Sequence, residues 1–206
     1  MIEIRIHGRG GQGAVTAAEL IAVSAFFDGK ISQAFPYFGV ERMGAPVEAY
    51  VRISEKKINL REQVYNPDYI IIQDPTLIGV VDVFRGAKKN TVILINTEKK
   101  PAEIKGLPKG LGAQTVPATQ IAMDVLGKPI INTAMLGAFA GLSKLIKPES
   151  VKKAIQERFG GELGEKNIMA MTKSYCHCNP NDPFCYLVRG ETENKIDDSQ
   201  TINING

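Results

Sequence analysis

The residues best suited to chemistry stand near the start of the chain, in His7-Gly8-Arg9-Gly10-Gly11-Gln12-Gly13. An alternating run, Ile2-Glu3-Ile4-Arg5-Ile6, precedes them, and a helix-like run from Ala14 to Phe27 follows. A strand that ends in glycines and opens a helix leaves unpaired backbone N–H groups at the positive end of a helix dipole, an arrangement that holds anions. Glycines 8, 10 and 13 fit the pattern G-x-G-x-x-G in the strand–turn–helix setting it requires, and Gly11 adds a further position with no side chain to block close approach. The loop reads as a phosphate cradle. The competing reading is a glycine turn that only lets the helix pack closely on the sheet.

Two nucleotide chemistries fit poorly. A nicotinamide site calls for an Asp or Glu about twenty residues beyond the glycines, at the end of the second strand. Here that strand, Ile31 to Phe35, ends in Pro36-Tyr37-Phe38, with Asp28 too early and Glu41 beyond it. A Walker loop needs Gly-Lys-Ser or Gly-Lys-Thr, and the one basic residue among the glycines is Arg9. A second candidate region is Phe35 to Pro46, a dozen residues with aromatics, two prolines, two glycines and the adjacent pair Glu41-Arg42. Arg42 is a rigid fork suited to phosphate or carboxylate, with Glu41 able to orient it; a rim salt bridge is the plainer alternative.

The elements that must position these residues read as an α/β fold: a largely parallel sheet flanked by helices, with a Rossmann-like start at the glycine-rich strand–turn–helix loop. Val47 to Ile53 alternates as a strand, while Tyr69 to Ile72 and Thr91 to Ile95 are continuous apolar runs of the kind buried in parallel sheets. Gln73-Asp74-Pro75 and Asn96-Thr97 then fall at carboxyl ends of strands, the edge where open α/β sheets place ligands. A strand at Ala113 to Val116 leads into a helix at Gln120 to Leu126. Asn132 to Ile146 reads as a helix buried on both sides, and Pro148 to Phe159 as another, stopped by Gly160-Gly161. Strands and helices are expected to alternate up to about residue 172, giving one α/β domain over 1–172 and an irregular C-terminal tail or arm over 173–206.

A net charge of +3 on 206 residues, with bases and acids interspersed, points away from nucleic acid. No apolar run approaches the roughly 20 residues of a membrane span, and the start reads as a strand rather than a leader, so a soluble cytoplasmic protein is expected. In the tail, Cys176-His177-Cys178 with Cys185 offers ligands for zinc, but not at the spacing of a familiar module, and no metal site is assigned. A disulfide there is disfavoured in a reducing compartment; the expectation is an extended arm packed on a partner. His7 is expected to pack at a strand end rather than act as a base.

Taken in order, the glycine loop His7 to Gly13, the run Pro36 to Arg42 with Gly44-Ala45-Pro46-Val47, then Asp74-Pro75 and Asn132-Thr133-Ala134-Met135-Leu136-Gly137 resemble the gamma subunit of pyruvate and related 2-oxoacid:ferredoxin oxidoreductases. The likeness covers about residues 1–172. It implies a subunit of a thiamine diphosphate enzyme that oxidatively decarboxylates a 2-oxoacid to acyl-coenzyme A and passes electrons to ferredoxin. It further implies that thiamine diphosphate, magnesium and iron–sulfur clusters sit on alpha, beta and delta partner chains. This chain lacks a Gly-Asp-Gly thiamine motif, and its three cysteines are too few for a cubane. It is then expected to hold no cofactor alone, to carry no catalytic residue and to help form the coenzyme A site through Gly8, Arg9, Gly10, Gly11, Gln12, Gly13 and Arg42. The Phe38 to Arg42 form of the loop favours pyruvate. The alternatives are 2-oxoisovalerate or another 2-oxoacid, or a non-catalytic scaffold. Met43 stands where many relatives carry a second arginine.

Overall fold

Strand β1 (Ile2–Arg9) has two faces of opposite character, because successive side chains in a strand point to opposite sides. Ile4 and Ile6 are fully buried on one face; Arg5 and His7 are equally buried on the other. The computed structural model describes residues 1–37 and 43–189. Beyond β1, helix α1 (Ala14–Phe27) buries Ala14, Ala17, Ala18 and Ala25, small residues that bring it close to the sheet. Strands β2 (Ile31–Tyr37) and β3 (Pro46–Ser54) pair antiparallel, and β3 pairs antiparallel with β1. Strands β4 (Tyr69–Ile72), β5 (Val92–Asn96) and β6 (Gly112–Val116) extend the other side in parallel. The order is β2-β3-β1-β4-β5-β6, so only β3 runs against its neighbours and the sheet is largely parallel.

Helices α2 (Ala118–Leu126), α3 (Asn132–Ser143), α4 (Pro148–Phe159), α5 (Gly161–Cys178) and α6 (Pro183–Arg189) complete the fold. With α1 they form one core together with Ile4, Ile6, Val51, Ile71, Leu94 and Val116 of the sheet. The opposite face carries a smaller core, Ile70, Ile72, Ile93 and Ile95 under Leu77 and Val83. The expected alternation of strands and helices fails here. The β4–β5 and β5–β6 connections contain only short 3-10 turns, Pro75–Leu77 and Pro101–Glu103. Repeated glycines and prolines interrupt both segments, and helix interiors tolerate neither well.

Helix α3 is buried along ten consecutive residues from Asn132 to Gly141, as its small and apolar circumference predicts. Gly137 and Gly141, one turn apart, face the backbone of α5. A Cβ on Gly137 would collide with the Met171 carbonyl, and one on Gly141 would lie 2.6 Å from the Tyr175 carbonyl oxygen. Helix α5 runs through position 172, so the expected junction at 172/173 falls inside a continuous helix. Tyr175, Phe184 and Cys185 belong to the main core, and Cys176 is disulfide-bonded to Cys185, joining α5 to α6. The first part of the tail is therefore core structure rather than an extended arm, and the disfavoured disulfide is present. The apolar character of Tyr175, Phe184 and the cysteines supplies the reason: each gains more from burial than from solvent. Cys178 is the free thiol, its pKa pushed up to about 12 by burial.

The charged face of β1 closes against β3 and the segments that follow it. Arg5 Nε donates to His7 Nε2 (3.1 Å), and its two Nη groups donate to the carbonyls of Val64, Val83 and Arg85. Arg85 Nη1 donates to Glu48 Oε1 (2.7 Å), and the Tyr50 hydroxyl donates to Glu48 Oε2 (2.6 Å). His7 Nδ1 lies 3.8 Å from Glu48, yet burial dominates and lowers the imidazole pKa to about 4, so this is no ion pair near neutral pH. A neutral ring can accept from Arg5 through Nε2, which a protonated ring cannot.

Two outcomes follow from this packing. Gly137→Ala should force α3 and α5 apart, at a cost of about 3 kcal/mol, and lower the melting temperature by roughly 10 °C. The unfolded chain protonates His7 near its ordinary value of 6.5, whereas the folded chain resists protonation down to about 4. Stability should therefore fall as the pH drops through that window, by about 3 kcal/mol from this residue. Urea titrations at stepped pH should record the loss, and His7→Gln should flatten it.

Candidate functional site

The chain leaves β1 toward β2 and β3 on one side and returns to β4 on the other, so the carboxyl ends of β1 and β4 form a topological switch point. The glycine loop lies there. Gly13 precedes α1 in the left-handed conformation (φ 75°), and no side chain among the described residues caps the helix. The loop is tied down from several directions: the Gly10 N–H donates to the Ala45 carbonyl (2.9 Å), the Gly44 N–H to the Gly10 carbonyl (3.1 Å), and the Gln12 N–H to the Arg9 carbonyl (3.0 Å). Asn132, the first residue of α3, packs on Gly13, where a Cβ would lie 3.1 Å from its Nδ2. The positive ends of two helices meet at this point, which favours negative charge.

Asp74 organises the loop from below. Its Oδ2 accepts from Arg9 Nε (2.9 Å) and Gln12 Nε2 (3.1 Å), and its Oδ1 accepts from the Thr76 N–H (2.9 Å) and hydroxyl (2.6 Å). Burial alone would raise the Asp74 pKa, but the bonds from Thr76, Gln12 and Arg9 outweigh it and hold the carboxyl below its ordinary value. Arg9 also donates through Nη1 to the Gly44 carbonyl and through Nη2 to the Thr76 hydroxyl. Gln12 Oε1 accepts from the Arg9 N–H. Arg9 and Gln12 are thus spent on the loop itself, leaving Gly10, Gly11 and Gly13 as the surface a ligand would meet.

Gly8 has a different part. It lies within β1, paired with Val47, and a Cβ there would come 2.6 Å from Gln73 Oε1. Its missing side chain makes room for Gln73. Glu41 and Arg42 lie outside the described residues. Met43 is 90% exposed and overhangs Gly11, its Sδ 3.2 Å from where a Gly11 Cβ would stand.

Two crevices flank the loop. One, about 420 Å³, lies over the first turn of α1 between Gly11, Val15 and Val47. The other, about 460 Å³, opens over the ends of β4 and β5 and is floored by Gln73, Asp74, Asn96 and Thr119. Gln73-Asp74-Pro75 and Asn96 were legible as strand-end polar residues, and the structure brings them together with the glycines. Thr119, Pro129 and Ile131 carry no such signal; they reach the crevice because α2 and α3 start at the same edge. Asn96 locks this floor, its Nδ2 donating to the Gln73 carbonyl and Thr119 hydroxyl and its Oδ1 accepting from the Thr119 N–H.

The sequence profile of the pyruvate ferredoxin/flavodoxin oxidoreductase family matches residues 3–176. Pyruvate synthase subunit PorC of Methanocaldococcus jannaschii is 57% identical over 175 residues, covering 85% of this chain and 96% of that one. The common gamma subunit of the pyruvate/ketoisovalerate oxidoreductases of Pyrococcus furiosus is 51% identical over 179 residues, covering 85% and 96%. The crystal structure of the pyruvate oxidoreductase subunit PORC of Thermotoga maritima superposes with a TM-score of 0.75 at 34% identity, over 84% of this chain and 94% of that one. A glycine loop at a switch point, in a chain matched along most of its length to gamma subunits, admits one conclusion: the chain belongs to the pyruvate ferredoxin/flavodoxin oxidoreductase family, as the gamma subunit of a pyruvate/2-oxoacid:ferredoxin oxidoreductase.

Proposed function

We propose that in this oxidoreductase complex the gamma chain contributes part of the coenzyme A site through Gly8, Arg9, Gly10, Gly11, Gln12, Gly13 and Arg42. The observation that carries the reading is the uncapped, left-handed entry into α1 beside the start of α3, on a loop held in place before any ligand arrives. Coenzyme A brings a diphosphate and a 3′-phosphate, and backbone N–H groups at helix starts suit such anions. Within this division of labour Gly11 and Gly13 meet the phosphate through their backbone, while Gly10, its N–H held by the Ala45 carbonyl, leaves room for close approach. Gly8, Arg9 and Gln12 shape the cradle, and Arg42, assigned from the sequence, adds a cation.

The chain's own side chains point to positioning rather than bond making. His7 is buried and neutral, and Asp74 is saturated with donors. Thiamine diphosphate supplies the decarboxylation chemistry, and we place it with magnesium and the iron–sulfur clusters on alpha, beta and delta partner subunits. A cubane needs four thiolates, and of the three cysteines here two are joined as a disulfide. The name of the Pyrococcus furiosus relative assigns one gamma chain to both pyruvate and ketoisovalerate enzymes. The choice of 2-oxoacid accordingly belongs to other subunits, with pyruvate the favoured substrate.

In the assembled complex, Gly11→Val should raise the KM for coenzyme A about ten-fold or more while leaving the KM for pyruvate in place. Gly11 has φ 91° and sits beneath Met43, so valine both strains the loop and fills it. Arg42→Ala should move the same constant in the same direction. An unchanged KM in well-folded complexes would instead mark the chain as a scaffold. Asp74→Ala should free Arg9, Gln12 and Thr76 together, cost about 2 kcal/mol and speed amide exchange at Gly10 and Gln12.

A further inference from the structure

Strand β2 ends the sheet, and no strand pairs with its outer edge among the described residues. Such an edge carries a row of free backbone N–H and C=O groups and readily accepts another strand. The Ser32 hydroxyl donates to the Ala22 carbonyl of α1 (2.6 Å), so by alternation Ile31, Gln33, Phe35 and Tyr37 share the face turned away from α1. Ile31 is 42% and Tyr37 48% exposed there, where a solvated sheet face ordinarily carries polar residues. Beside the first half of β2 lies a crevice of about 390 Å³, bounded across from Ile31 and Gln33 by the segment Lys57 to Arg61. Ile31, Ile58 and Leu60 give it an apolar lining, and Lys57 and Arg61 bring two cations that form no ion pair among the described residues. An extended segment with alternating apolar residues and acidic neighbours is the occupant this surface fits.

Residues 190–206 of the same chain have that composition. Thr201-Ile202-Asn203-Ile204-Asn205 alternates with the period of a strand, and Glu191, Glu193, Asp197 and Asp198 precede it against one lysine, Lys195. The segment also departs from the right end of the molecule. The Lys152 ammonium of α4 stands 4.6 Å from the ring centroid of Phe184 in α6, and in the first turn of α4 the Ser150 hydroxyl donates to Asp28 (2.6 Å), just before β2 begins. From Arg189 to Thr201 an extended chain spans about 40 Å. The whole six-stranded sheet is only about 24 Å across, so the reach suffices. We propose that Thr201 to Asn205 adds to the free edge of β2 as a further strand of the same molecule. Ile202 and Ile204 supply the apolar filling between Ile31, Ile58 and Leu60, and Asp197 and Asp198 answer Lys57 and Arg61. The added strand closes an edge that would otherwise pair with other chains.

The test compares the full chain with one ending at Arg189, by amide hydrogen exchange over residues 31–37. Removal of 190–206 should speed exchange there about ten-fold, because an edge strand loses the partner that protects it. Lys57→Glu with Arg61→Glu should have the same effect in the full chain. Adding Asp197→Lys with Asp198→Lys to that background should restore the protection, which a tail acting only on general stability would not do. Dilution of the full chain should leave the protection unchanged. Equal exchange with and without 190–206 would overturn the proposal and leave the edge to a partner subunit or to solvent. Protection that disappears on dilution would overturn it in favour of the tail of a second copy. A loss of protection that extends to β1 and β4 would overturn it as well, since docking at the edge confines the change to β2 and the segment 57–61.

Discussion

The pairing of β1 between an antiparallel β3 and a parallel β4 is the constraint on which the molecule depends. A shift of one residue in either ladder would exchange the two faces of β1, driving Arg5 and His7 under the helices and Ile4 and Ile6 against Glu48 and Tyr50. The register is therefore over-determined, by apolar burial on one side and by directional hydrogen bonds from Arg5 on the other. The same register delivers Arg9 to Asp74 at the end of the ladder, so the geometry of the glycine loop is a by-product of sheet pairing rather than a separate achievement.

How far this was legible depends on the range over which each feature is encoded. Helix α1 was readable to its ends, because its alanines and the flanking glycines are local signals, and β4 likewise stood out as a bounded apolar run. Helix α5 was not. Gly160-Gly161 reads as a stop, and Gly161 and Gly164 weaken helix propensity, but packing of α5 on Gly137 and Gly141 of α3 overrides both. The connections after β4 and β5 failed as helices for the opposite reason, since their prolines and glycines are dense enough to decide the local structure.

The site divides in the same way. Its glycines and strand-end polar residues could be found by type and position. What those residues do could not, because Arg9 and Gln12 look like ligand-binding groups until Asp74, more than sixty positions away, is seen to occupy them. Gly8 was singled out for its membership of a motif and proves to matter for the space it leaves to Gln73. A motif names the residues that must converge; only the pairing of distant strands shows which of them remain free.

The bolting of the glycine loop has a thermodynamic consequence. Ordering a loop of this kind at the moment of binding would cost about 1–2 kcal/mol of conformational entropy per residue. Here Arg9, Gln12, Asp74 and the Ala45 carbonyl have already imposed that order during folding. For the phosphate proposed to bind here, the amides of the loop are already fixed in direction, so its attraction to the backbone would go into affinity instead of into stiffening the chain.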